Sequence, residues 1–185
     1  MKKEKTAKRD IKVVNIVVST SLKHDIPLEK MAATLSNTEY NPEQFPGLVI
    51  RIKEPKTSAL IFSSGKVVCT GARSMDKVNE SIKKIIKSLE KINIKITIKP
   101  DIKIQNIVAS GSVGMDLNLN VLAMKLENTE YEPEQFPGLV YKLEEAKATF
   151  LLFSNGKIVC TGTKSDEEVN QALDKLIINL KKVKA

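Results

Sequence analysis

The 185-residue chain has no tryptophan, one histidine and two cysteines, and its aromatic content is 4%. Two cysteines exclude the disulfide frameworks that hold small secreted domains together. A single histidine leaves little material for a His- or Cys-ligated metal centre, and neither a metal nor a cofactor is expected. No window reaches eighteen uninterrupted apolar residues, and nothing apolar of signal-peptide kind follows the opening MKKEKTAKRD, so a soluble intracellular protein without a membrane partner is expected. What is present is 42% hydrophobic and 28% charged residues, enough for a real core and against wholesale disorder.

The net charge of +8 is unevenly placed. Residues 1 to 100 hold 20 Lys and Arg against 10 Asp and Glu, whereas residues 101 to 185 hold 10 against 12. A basic half suits a polyanion, and a near-neutral or acidic half suits a partner protein.

The chain is written twice. A gapless shift of 91 positions lays residues 10–94 on 101–185 with about half the positions identical. Asn37 to Val49 returns as Asn128 to Val140 with one change, Asn41 becoming Glu132, and Phe62 to Gly71 returns as Phe153 to Gly162. Two copies are too few for an open solenoid, so the expected organisation is a basic tail, 1–9, and two repeats, 10–94 and 101–185, in one intimately fused pseudo-dimeric domain with an approximate two-fold axis. The intervening stretch, roughly 92–101, alternates isoleucine with polar residues and reads as strand-like, which favours fusion over tethering.

Within one repeat, β-branched residues from Ile11 to Ser19 predict a strand. Asp25 reads as the cap of a short helix, with Leu28, Met31, Ala32 and Leu35 on one side. Breakers between Tyr40 and Gly47 predict a loop, extended structure resumes at Leu48, and Ser58–Phe62 and Lys66–Thr70 form a hairpin about Ser63-Ser64-Gly65. Ser74 caps a long amphipathic helix carrying Val78, Ile82, Ile85, Ile86 and Leu89 on its apolar side. The second copy repeats the pattern from Ser165 to Leu180, and the combination implies an α+β fold with helices on one face of an antiparallel sheet.

Side chains alternate along strands, which sorts the residues into two faces. Val14, Ile16, Val18, Ala59, Ile61, Val67 and Cys69 form a small aliphatic set suited to lie beneath the helices. Asn15, Val17, Ser19, Leu60, Phe62, Lys66, Val68 and Thr70 mix polar with apolar and are expected to face outward. An exposed face of that composition marks a binding surface or one covered by a second copy. The second repeat carries the same set as Asn106, Val108, Ser110, Leu151, Phe153, Lys157, Val159 and Thr161. Phe45 and Phe136 sit beside Pro-Gly in polar loops, a poor place for core residues.

The other chemistry-bearing residues have plain readings. Cys69 and Cys160 lie on the helix-facing side as small buried hydrophobes, and the loop residue His24 has Met115 as its counterpart. Ser-Ser-Gly-Lys and Ser-Asn-Gly-Lys lack the G-x-x-x-x-G-K-[ST] frame of a phosphate loop. No clustered acid, base or metal set appears in either copy, and no catalytic activity is expected.

At the paired Gln44-Phe45-Pro46-Gly47-Leu48-Val49 and Gln135-Phe136-Pro137-Gly138-Leu139-Val140, and at Phe62-x-x-Gly65-Lys66 and Phe153-x-x-Gly156-Lys157, the sequence resembles the TATA-box-binding protein family, the general transcription initiation factors of archaea and eukaryotes. The likeness covers residues 10 to 185, and the short tail and near-symmetric repeats resemble the archaeal members. It implies a two-fold pseudo-symmetric saddle, a curved ten-stranded antiparallel sheet with four helices on the convex face and a concave underside in the DNA minor groove. It further implies that Phe45, Phe62, Phe136 and Phe153 wedge between base steps and that Asn15, Asn106, Thr70 and Thr161 contact base edges. Val17, Val108, Leu60, Leu151, Val68 and Val159 would form an apolar floor, while Arg51, Lys66, Lys142 and Lys157 would reach phosphates.

The partners so implied are double-stranded TATA-element DNA, RNA polymerase and transcription factor B, the last docking near Glu132 and Glu134. Self-association of the free chain is a further option. The implied location is cytoplasmic and nucleoid-associated, or nuclear for a eukaryotic source. The alternative from another class is a protein–protein interaction module using the same sheet face.

Overall fold

The computed structural model describes residues 10–184, so the basic tail 1–9 lies outside the described residues. Along the chain run β1 (Ile11–Ser21), α1 (Leu28–Thr34), β2 (Thr38–Tyr40), β3 (Leu48–Ile52), β4 (Thr57–Ile61), β5 (Lys66–Ala72) and α2 (Met75–Glu90). They are followed by β6 (Lys103–Ser112), α3 (Leu119–Lys125), β7 (Thr129–Glu130), β8 (Leu139–Leu143), β9 (Ala148–Leu152), β10 (Lys157–Thr163) and α4 (Asp166–Lys184). The strands form a ten-stranded antiparallel sheet in the order β2-β3-β4-β5-β1-β6-β10-β9-β8-β7. The chain divides into two compact units, one spanning Val14–Ile107 and the other joining residues 10–13 to 108–184.

In the unit Val14–Ile107, strand alternation decides what is buried. Ile16, Val18, Ala59, Ile61, Val67 and Cys69 are buried, as are Val78, Ile82, Ile85 and Leu89 of α2, whereas Val14 and Ile86, expected with them, are only half-buried. Full burial of each larger aliphatic side chain contributes about 1.5–3 kcal/mol relative to exposure. Buried polar groups within this core are satisfied: the hydroxyls of Thr57 and Ser81 hydrogen-bond at 2.8 Å, and Thr20 Oγ1 donates to the Asp101 carbonyl. Ser74 caps α2 as expected, its Oγ accepting from the Lys77 amide.

Asp25 does not cap α1. Pro27 occupies the cap position, with no side-chain hydrogen bond. The matching position in the other repeat is Asn118, whose Oδ1 does accept from the Val121 amide. A proline there presets the backbone angle but offers no acceptor, so the first copy keeps the helix start without its cap.

The alternating linker is not a strand. The chain turns after α2, with Asn93 at a φ of 61°, and regular pairing resumes only at Lys103. Ile92 and Ile94 are buried, whereas Ile98 is exposed. Alternation without a neighbouring strand to bond yields an extended segment and no ladder.

The unit of residues 10–13 and 108–184 follows the same logic. Ala109, Leu152, Ile158 and Cys160 are buried, together with Val169, Leu173, Leu176 and Leu180 of α4. Phe150, fully buried, stands where the first repeat has Ala59. Ser165 Oγ accepts from the Glu168 amide, while Glu168 Oε2 accepts from the Lys164 amide at 2.6 Å, so two donors at the start of α4 are satisfied reciprocally.

Candidate nucleic-acid interface

Opposite the helices, the sheet of the unit Val14–Ile107 carries two rows of side chains set by strand register. Val49 faces Leu60, Leu60 faces Val68, and Val68 faces Ser19, which makes an apolar row ending in a hydroxyl. Arg51 faces Ser58 and Ser58 faces Thr70, which makes a polar row beside it. Asn15, Val17, Ser19, Leu60, Phe62, Val68 and Thr70 are all half-buried, in contrast to the fully buried set on the helix side.

The Asn15 amide closes the polar row. Its Oδ1 accepts from the Gly71 amide at 2.7 Å and its Nδ2 donates to Thr70 Oγ1 at 3.0 Å. Gly71 has a φ of 99°, and the β1–β5 register shifts between Ile16 and Val18, so a local irregularity turns that backbone N–H toward the asparagine. A backbone N–H can only donate, which fixes Oδ1 inward and leaves the second Nδ2 hydrogen for another acceptor. Asn106 lies in this same unit and is also half-buried, near Gln105, whose Nε2 donates to Ser19 Oγ at 2.8 Å.

At the edge of the face the aromatic rings meet. Phe45 and Phe62 pack edge to face, with centroids 5.9 Å apart and planes at 66°. The loop that delivers Phe45 is held by backbone bonds from Gln44 and Phe45 to the Asn41 carbonyl, and Phe62 closes the β4–β5 hairpin through reciprocal bonds with Lys66 and Gly65. Phe45 remains 43% exposed, against the tendency of large apolar side chains to be covered.

The other unit repeats the arrangement. Val140 faces Leu151 and Leu151 faces Val159, while Lys142 faces Thr149 and Thr149 faces Thr161. Val108, Ser110, Leu151, Phe153, Val159 and Thr161 are half-buried. Phe136, 40% exposed, and Phe153 pack at 5.9 Å and 69°.

Of the basic side chains, Lys66 and Lys157 are exposed and in no ion pair among the described residues. Arg51 instead pairs with Glu39 at 3.1 Å, and Lys142 with Glu130 at 3.6 Å. Both pairs are solvent-exposed and therefore weak, so a phosphate can compete for the cation. Glu132 and Glu134 are exposed in the loop that leads to Phe136.

Val49, Val140, Ser58 and Thr149 also belong to this face, beyond the residues expected there from sequence. The alternation Leu48-Val49-Ile50-Arg51-Ile52 carried the signal, with every second residue buried. Cys69 and Cys160 lie on the opposite side, and burial pushes each thiol up to about 11. Among the described residues no group of three or more His, Cys, Asp or Glu is placed to hold a metal ion, and no helix is long and apolar enough to cross a membrane.

This architecture has known relatives. A family model described as "Transcription factor TFIID (or TATA-binding protein, TBP)" matches residues 10–92 and 101–183. The TATA-box-binding protein of Methanocaldococcus jannaschii is 52% identical over 174 residues, 94% of this chain and 95% of the relative. That of Picrophilus torridus is 53% identical over 175 residues, again 94% and 95%. The solved structure of Methanococcus jannaschii TBP superposes with a TM-score of 0.88 at 51% identity, covering 94% of this chain and 99% of that one.

Proposed function

Because the chain belongs to the TATA-binding protein family of general transcription factors, we propose that it nucleates promoter assembly by binding a TATA element through the DNA minor groove and bending it. The two repeats, 10–94 and 101–185, act as one DNA-binding domain in this reading. The observation that carries it is the duplicated edge of the free face, where an exposed phenylalanine is packed against a second one beside an apolar row.

The chemistry follows from what the groove offers. A·T and T·A pairs present only acceptors there, whereas G·C adds an amine donor. The rows Val49-Leu60-Val68 and Val140-Leu151-Val159 offer no side-chain acceptor to that amine, so G·C is disfavoured by an unmet hydrogen bond. The Asn15 Nδ2 hydrogen left over from the Thr70 bond meets an acceptor at an A·T pair. This family is itself a standard instance of apolar wedges that unstack base steps, and Phe45, Phe62, Phe136 and Phe153 take that role here. Unstacking costs a few kcal/mol per step, least at pyrimidine–purine steps, and the wider buried contact offsets it. Lys66 and Lys157, with Arg51 and Lys142 released from their glutamates, hold the phosphates. Transcription factor B docks at the acidic loop of Glu132 and Glu134 and brings RNA polymerase to the site. No reaction is catalysed, and the protein works in the cytoplasm on the nucleoid.

A gel-shift series tests this reading. The protein is expected to prefer an A·T-rich TATA duplex over a scrambled one of equal composition, with affinity falling as salt rises. Phe62→Ala and Phe153→Ala are expected to reduce affinity and bending together, as read from end-to-end energy transfer. Equal binding to both duplexes, or an unchanged bend in the variants, overturns it.

A further inference from the structure

The excess positive charge of the first repeat has a definite place in the fold. The end of β1, the start of β6, the β4–β5 hairpin and the linker before β6 enclose an open cleft of about 550 Å³. Lys23, Lys66, Lys99 and Lys103 line it, with Ser19 and Ser21. None of these four lysines is in an ion pair among the described residues. The cleft's one carboxylate belongs to Asp101, whose backbone carbonyl accepts from Thr20 Oγ1 at 2.8 Å and so ties the linker to β1.

Four ammonium groups around one carboxylate leave a local excess of positive charge, which an anion bound among them offsets. The hydroxyls are set to donate as well. Ser19 Oγ accepts from Gln105 and Ser21 Oγ accepts from the Lys23 amide, so each keeps its own O–H for a further acceptor. A lining dominated by donors and cations fits an anion with several acceptor oxygens, which is the chemistry of a phosphate group.

We infer that this cleft clamps a phosphodiester group of bound DNA, with Lys23, Lys99 and Lys103 joining Lys66 in a backbone contact that the free face alone does not supply. The inference rests on the minor-groove reading, because Ser19 and Lys66 belong at once to the free face and to the cleft. The clamp is one-sided. Linker residues 95–100 have no copy in the second repeat, and the position matching Lys23 is Gly114.

The test compares the double variant Lys99→Gln/Lys103→Gln with Lys83→Gln/Lys87→Gln, which removes the same charge from the exposed side of α2. Affinity for TATA and scrambled duplexes is measured by fluorescence anisotropy across a salt series. Each phosphate contact adds about 0.9 to the slope of log K against log salt on B-DNA. The cleft variant is expected to lower the magnitude of the slope by roughly one and to weaken both duplexes by the same factor, while the α2 variant leaves the slope near wild type. A cleft variant that matches the α2 variant, while the wild type still prefers the TATA duplex, overturns the clamp and spares the minor-groove reading. A wild type without that preference overturns both. Titration with inorganic phosphate followed by phosphorus NMR separates the sources: phosphate binding that needs Lys99 and Lys103, with an unchanged DNA slope, assigns the cleft to a free anion and also overturns the clamp.

Discussion

Gly47 lies directly against the ring of Phe45: a Cβ built on the glycine falls 2.7 Å from Phe45 Cε1 and 3.2 Å from Phe62 Cε1. Gly138 stands in the same relation to Phe136 and Phe153, at 2.7 and 3.0 Å. The missing side chain is what lets each phenylalanine fold back over the backbone and meet its partner edge to face. Gly47→Ala is therefore expected to turn Phe45 out of the pair while leaving the buried core untouched. The measurement is DNA bending by energy transfer beside a thermal melt. A clear loss of bend with a melting temperature lowered by no more than about 6 °C is the expected result, since the lost ring contact amounts to only about 0.5–1.5 kcal/mol.

Asn15 is the second test, because its amide is oriented by the Gly71 N–H. Asn15→Asp keeps an acceptor for that N–H but replaces the outward donor by an anionic oxygen, which repels the acceptor-lined A·T groove. Leaving a groove acceptor unpaired and facing an anion costs about 1–3 kcal/mol, so TATA affinity is expected to fall by roughly ten- to a hundredfold. Competition binding against the wild type gives the ratio, and an undiminished affinity would remove the asparagine from the readout.

Charge reversal of Glu132 and Glu134 separates the proposed partners. The Glu132→Lys/Glu134→Lys chain is expected to bind a TATA duplex at least as well as wild type but to lose the ternary complex with transcription factor B on native gels. Equal damage to both complexes counts against a docking loop. The first repeat has Asn41 where the second has Glu132, so the acidic pair exists on one side only.

The two thiols make a prediction about pH. Burial raises Cys69 and Cys160 from 9.0 to about 11, so the folded protein holds these protons more tightly than the unfolded chain. Between pH 9 and 11 the unfolded chain ionises first, and stability falls as pH rises through that window. Below it both states are protonated and the thiols contribute no pH dependence. Denaturant melts are expected to show this decline, and replacing both cysteines by alanine should flatten it. Thiol reagents at neutral pH should react on the timescale of unfolding.

The strand faces were legible in the sequence because alternation is a local property. Parity alone sorts Val14, Ile16, Val18, Ala59, Ile61, Val67 and Cys69 to the helix side, and all are buried except Val14, which is half-buried ahead of the β1–β5 irregularity. Alternation misleads at the linker, where no adjacent strand is there to bond, and capping preference misleads at Asp25, because the helix cap falls two residues later, at Pro27, the position matching Asn118. Val49 and Val140 belong to the free face by the same alternation, since Leu48, Ile50, Leu139 and Tyr141 on either side of them are buried. The pairing of Arg51 with Glu39 was invisible for another reason. The two residues lie on neighbouring strands, and only the β2–β3 register brings them within 3.1 Å.

By itself the sequence determined the duplication, the α+β composition, the two faces of each strand and the identity of the aromatic and amide side chains on the free one. These depend on periodicity and on residues adjacent along the chain. Tertiary structure alone decided that Phe45 packs on Phe62 over Gly47, that Gly71 turns the Asn15 amide outward, and that Lys23, Lys66, Lys99 and Lys103 surround one cleft. Each of those arrangements joins residues from separate strands or loops, and their meeting is set by register, a local backbone irregularity and the path of the linker.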